Sequence, residues 1–129
     1  FTLDDVRSAE ISLTIDGPEG YRLTGSSNMS LISRDPLDLI AQAIGRDHQF
    51  PDGFALFLGT MFAPVEDRDT PGQGFTHKIG DIVRVSTPKL GTLTNRVVHC
   101  DAAPPWTFGI RALMRNLAAR GLLSESASA

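Results

Sequence analysis

Gly59-Thr60, closing the apolar run FALFLG and its threonine, is the pair of residues in this sequence best suited to chemistry. Without a Cβ, glycine lets a ligand approach the backbone, and the threonine hydroxyl with the N–H groups that follow can hold a small carboxylate. The same two residues suit a strand that ends on a glycine kink, and the residues by themselves leave both uses open. Next comes a long connection, 61–78, that carries Glu66, Asp67, Arg68, Asp69, Gln73, Thr76 and His77. Loops longer than about 12 residues in compact domains tend to be functional lids or disordered. The mixture of Pro, Gly and opposite charges predicts a folded lid, with Asp67, Arg68, Gln73 and His77 as its candidate residues. A solvated loop pinned by its own ion pairs fits the same composition.

Other chemistries find less support. Glu66, Asp67 and Asp69 lack the twelve-residue spacing and terminal Glu of a calcium loop. His48, His77 and His99 are far apart, and none stands at zinc-ligand spacing from Cys100, so no metal site is expected within the chain. His99 and Cys100 are neighbours on a predicted strand and point to opposite faces, which denies Cys100 an activating base. Trp106, beside Pro104 and Pro105, is expected to be a packing anchor or subunit contact, and Phe57, Met61 and Phe62 to be core.

These residues need elements to hold them. Ile11, Leu13 and Ile15 alternate with Glu10, Ser12, Thr14 and Asp16, the period of a strand with one buried face. GPEG at 17–20 is a turn, and YRLTGSS returns as its hairpin partner. Asp35 as N-cap and Pro36 at the first position predict a helix with Leu37, Ile40, Ala41 and Ile44 on one side, ended by Gly45. FALFLG at 54–59 reads as a strand buried on both faces. DIVRVST at 81–87 and LGTLTNRVVH at 90–99 are two more strands joined by a tight Pro-Lys turn. A last helix is expected to start at Trp106 or Thr107, with Ile110, Leu113, Met114 and Leu117 as an apolar stripe and Arg111, Arg115 and Arg120 toward the other face. The fold class is therefore α+β and mostly antiparallel, because the connections look too short for crossovers.

With 129 residues, 41% of them hydrophobic, the chain fits one domain. Its net charge of −3 and its scattered 12 Lys and Arg argue against nucleic acid and against a polybasic membrane patch. No apolar stretch approaches about 20 residues and no signal-peptide pattern occurs, so the expectation is a soluble protein. The single cysteine fits a reducing cytoplasm. SESASA at 124–129 reads as a disordered tail. The first residue is Phe rather than Met, which permits a fragment.

FPDGFALFLGT, followed after the loop by GFTHKIGDIVRVSTPKLGTLTNRV, is similar to the C-terminal half of the fumarylacetoacetate hydrolase superfamily. Pro51, Asp52, Gly53, Gly59, Thr60, Gly80, Asp81, Gly91, Leu93, Asn95 and Val97 supply its motifs in order. FTLDDVRSAEISL, SNMSLISRDP, DRDTPGQGFTHK and PPWTFGIRALMRNLAARGLL resemble the subgroup with bacterial 2-keto-3-deoxy-pentonate dehydratases, over nearly all of 1–123. That resemblance implies the family's β-roll fold and a Mg²⁺-dependent hydro-lyase that turns a 2-keto-3-deoxypentonate (xylonate or arabinonate series) into 2-oxoglutarate semialdehyde in pentose catabolism. It leaves open an acylpyruvate or diketo acid hydrolase of the same superfamily, or a non-catalytic assembly or binding fragment. Gly59 and Thr60 match its substrate loop, with Met61 following as a backbone contributor. Its metal-holding Glu-x-Glu pair and Asp precede this region, and no Glu-x-Glu occurs here. The Mg²⁺ ligands and the N-terminal half of the enzyme are then expected outside these residues, with 1–123 as the C-terminal part of the catalytic domain. The resemblance also implies a homodimer, and apolar surface left by an absent half would itself drive association.

Overall fold

The computed structural model describes residues 2–59 and 62–123. Contacts divide the chain into two units, Phe1–Val98 and His99–Ala129. The expected tail at 124–129 lies outside the described residues.

The first unit is built on four strands, β1 (Glu10–Asp16), β2 (Arg22–Asn28), β3 (Ile82–Thr87) and β4 (Gly91–Arg96), in the order β2-β1-β3-β4. Every pairing is antiparallel. Two of the three connections are tight turns. The third, from β2 to β3, spans 29–81, so its length does not explain the direction of β3, which pairs antiparallel with the free edge of β1.

The register shows how one face becomes apolar. Leu23 and Val83 flank Ile15, Gly25 and Val85 flank Leu13, and Leu93 sits opposite Val85. Ile15 and Leu23 are buried, and Met29, in the 3-10 turn after β2, is buried beside the same unit's core. Opposite Leu13, Gly25 leaves room for the ring of Phe62: a Cβ built on it would lie 2.3 Å from two ring carbons. The β4 end of this face is open, with Leu93 65% exposed. On the other face Asp16 bonds Arg84 across the strands and stands 3.4 Å from Arg22.

Two short helices precede and follow the hairpin. Helix α1 (Leu3–Arg7), which the sequence did not announce, starts in a capping box of Thr2 and Asp5. Helix α2 (Pro36–Ala43) begins as expected, with Asp35 as N-cap accepting from the N–H of Leu37 at 2.9 Å. Arg7 grips the same Asp35 through Nε at 2.6 Å and Nη2 at 3.1 Å, so one carboxylate caps α2 and ties it to α1. Lys89, in the β3–β4 turn, bonds Asp5 of α1.

The expected strand at 54–59 is a correction: these residues form no regular element and are exposed, Phe57 at 92%. A strand needs a neighbour for its N–H and C=O groups, and no described strand lies beside this segment. Phe50 and Phe54 pack against each other instead, centroids 4.9 Å apart.

In the second unit a 3-10 turn (Cys100–Ala102) is followed by α3 (Ile110–Ala119). The helix starts three residues later than expected from Thr107, at a Gly109 N-cap, because 104–109 form no regular element after the two prolines. Its stripe is present, but Ile110 and Met114 are exposed, and Trp106, expected as a packing anchor or subunit contact, packs on no described residue and is fully exposed. Among the described residues no helix is long and apolar enough to cross a membrane.

Candidate functional site

Gly59 ends the unpaired apolar segment with φ at +86°, a conformation that glycine adopts readily and L residues rarely do. Among the described residues, no atom beyond its chain neighbours lies within 4 Å of where its Cβ would be, so the backbone turn calls for glycine. Thr60 and Met61, the rest of the expected substrate loop, lie outside the described residues.

Leu58, immediately before Gly59, lines two hollows of the first unit. One, of about 430 Å³, is walled mainly by apolar side chains such as Val6, Ile11 and Met29, with the Asp5–Lys89 pair at its side. The other, of about 510 Å³, lies between the end of β2, the following 3-10 turn and the start of α2, and has Ser27, Asn28, Ser33 and Arg34 in its wall. Both volumes fall in the range of small-molecule sites.

The long connection is folded around Arg68, whose side chain is 1% exposed. Its Nη1 and Nη2 bond both oxygens of Asp81, at 2.5 and 2.8 Å, in the fork geometry that suits a guanidinium and a carboxylate. Nη1 also donates to the Thr76 carbonyl at 3.2 Å, and Nη2 to Glu19 of the β1–β2 turn at 2.8 Å. Tyr21 places its ring under the guanidinium, 4.4 Å from Cζ to centroid, and donates its hydroxyl to Glu66. Only Nε lacks an acceptor among the described residues.

Asp81 is completely buried and also accepts from the N–H of Lys78 at 2.9 Å. The Arg68 bonds hold its carboxyl at about 2, against an opposing push from burial. The same bonds raise the Arg68 guanidinium. His77 brings Nδ1 within 3.5 Å of Asp81 and rests edge-on against Phe75. Asp67 closes the loop tip by accepting from Gly72 and Gly74 at 2.7 and 2.6 Å, which lowers its pKa. Lys78 joins Asp69 and Glu19 at the rim.

Of the four candidate lid residues, then, Asp67 bonds N–H groups of the loop itself, Arg68 is buried against Asp81 and Glu19 beyond it, and Gln73 and His77 are exposed. The ion-pair account of this loop, open in the sequence, describes its bonds well. Glu19, Tyr21 and Asp81 escaped sequence reasoning as partners of Arg68. The only signal was Asp81 in its Gly-Asp pair, since Glu19 is 49 residues from the arginine it binds.

The described residues gather no group of three His, Cys, Asp or Glu able to hold a metal ion, and the buried carboxylate of Asp81 is already bound by Arg68. They do not fit a Mg²⁺ site. Comparison of the chain with protein-family models, with curated proteins and with solved structures found no match.

Proposed function

We propose that these residues are the substrate-carboxylate part of a fumarylacetoacetate hydrolase-like lyase that dehydrates a 2-keto-3-deoxy sugar acid. The ordered motif set from Pro51 to Val97 carries the proposal. The positive φ of Gly59 supports it, because that turn is where the resemblance puts the substrate loop, beside two hollows of ligand size. A second support is the unfinished packing: Leu31, Phe57 and Val65 are 79, 92 and 90% exposed, large apolar side chains that another polypeptide would cover.

In this reading the N–H groups after Gly59 and the hydroxyl of Thr60 bind the carboxylate of a 2-oxo acid. Mg²⁺ belongs to residues outside the chain, and the missing N-terminal half and a second copy are the partners. The compartment is the cytoplasm.

Incubation of the purified protein with Mg²⁺ and a 2-keto-3-deoxypentonate, followed by mass analysis, tests the reaction class. A semialdehyde is the expected product. Pyruvate would transfer the protein to the C–C hydrolases, and no product from protein that contains its metal-binding part would end the enzymatic proposal. Thr60→Val keeps the side-chain shape and removes the hydroxyl, so the affinity for the acid should fall by about 1–3 kcal/mol with the fold intact. An unchanged KM would remove Thr60 from the site.

A further inference from the structure

The sheet of the first unit ends on a strand that no described residue covers. β4 lies outermost in the order β2-β1-β3-β4, and all six of its residues are exposed. An outermost strand keeps a row of N–H and C=O groups able to pair with another chain, and proteins blunt such edges with charges, prolines or bulges. Residues 91–95, Gly-Thr-Leu-Thr-Asn, contain no charge and no proline. The opposite edge differs: in β2, Arg22 is charged, Leu23 is buried and the Phe62 ring packs on Gly25.

The bonding pattern shows which groups of β4 face out. Val97, just after the strand, accepts from the N–H of Gly80 at 2.8 Å and donates to the carbonyl of Asp81 at 2.9 Å, so its polar groups point to the β3 side. Alternation along an antiparallel strand then turns Asn95, Leu93 and Gly91 toward β3, and Thr92, Thr94 and Arg96 outward. Among the described residues no strand pairs with that outer row. The side chain of Leu93 belongs to the apolar face, in one row with Val85 and Leu13, and borders a hollow of about 390 Å³ lined by Ile11, Val85 and Leu90. Leu93, Leu90 and Val85 are 65, 61 and 40% exposed.

This edge is complementary to itself. When a copy is laid antiparallel with Leu93 opposite Leu93, Thr92 of each chain faces Thr94 of the other, and each such pair exchanges both N–H···O bonds. The leucines between them form the non-bonded pair, where side chains approach closest, and their meeting continues the apolar row of both sheets on one side. Threonine pairs are favourable neighbours on the other face. Arg96 falls opposite Leu90, so no like charges meet. One two-fold axis satisfies both β4 edges at once.

We propose that a second copy of this chain pairs with β4 edge to edge, about a two-fold axis at Leu93, and joins the two sheets into one. The surface and the register follow from the strand itself, and neither the resemblance nor the proposed reaction supplies them.

Sedimentation velocity over a concentration series tests it. Wild-type protein should pass from monomer to dimer as concentration rises. Leu93→Lys sets like charges directly opposite each other and should weaken the dimer at least about tenfold, while Thr24→Lys, on exposed β2, should leave it within about twofold. Both positions are exposed, and circular dichroism verifies that the variants keep the fold. Oxidation of cysteine variants made in a Cys100→Ser chain reads the register. Leu93→Cys should link two copies; Thr94→Cys should not, because a stagger of two residues leaves its Cα atoms about 7–8 Å apart, outside disulfide reach. Wild type that stays monomeric, a dimer that Leu93→Lys leaves intact, or linkage through Thr94→Cys in place of Leu93→Cys would each overturn the proposal. No substrate enters these measurements, so the interface and the proposed reaction can fail separately.

Discussion

Residues 62–81 and residues 50–59 both run without helix or strand, and they solve the problem of irregular backbone in opposite ways. The first wraps polar groups around one buried cation: Arg68 is bonded to Asp81, Glu19 and the Thr76 carbonyl, and Asp67 takes up two N–H groups. The second is richer in apolar side chains and yet buries almost none of them. Directional bonds can be completed by a few nearby polar groups, whereas apolar area is withdrawn from water only when a second surface is present to cover it. Composition alone would have ranked the two regions the other way.

Breaking the polar loop should give the largest effect. Asp81→Asn leaves the Arg68 charge buried with its main partner gone, and such losses amount to about 3–5 kcal/mol. Urea unfolding followed by circular dichroism measures it; a drop of under 1 kcal/mol would mean that water reaches the guanidinium. Asp38→Asn, which breaks an exposed pair, is the control and should change little.

Acid should do reversibly part of what that substitution does. Asp81 titrates lower in the folded protein, near 2, than its ordinary 3.8. Its contribution is therefore fully present above about pH 4 and is lost as pH falls toward 2, up to about 2 kcal/mol. Stability compared at pH 5 and pH 2.5 should show that the gap between wild type and Asp81→Asn narrows at the lower pH. A constant gap would place the cost of the substitution in packing.

The junction between the two regions comes next. Gly59→Ala puts a Cβ on a residue at φ +86°, where space is open but the backbone is unfavourable, so the expected loss is about 1 kcal/mol. A thermal melt reads the loss, and no change would mean that the turn relaxes at little cost.

The apolar segment should give the smallest effect on stability. Phe57→Ser removes an exposed ring, and its unfolding free energy should stay within about 0.5 kcal/mol of wild type. Self-association measured by light scattering should fall in the same variant. A clear loss of stability would show that Phe57 is covered after all, by a second copy or another segment.

The hairpin of β1 and β2, the N-cap and first turn of α2 and the β3–β4 pair were all legible in the sequence, because alternation, Asp-Pro and the turn residues act within a few positions. α1 went unread: its capping box is local, but a five-residue helix offers no periodicity to find. The start of α3 shifted past the prolines for a similarly local reason.

FALFLG shows the limit from the other side. Its β propensity is real, but propensity describes fitness for a neighbour that must come from elsewhere. What the sequence determined alone was every feature whose cause lies within one turn of helix or one hairpin. The tertiary structure decided the rest: that Arg68 meets Asp81 and Glu19 across 13 and 49 residues, that Phe62 fills the space over Gly25, and that 54–59 stays unpaired. Those outcomes depend on which surfaces the closed hairpins bring within bonding distance, and no local pattern encodes that distance.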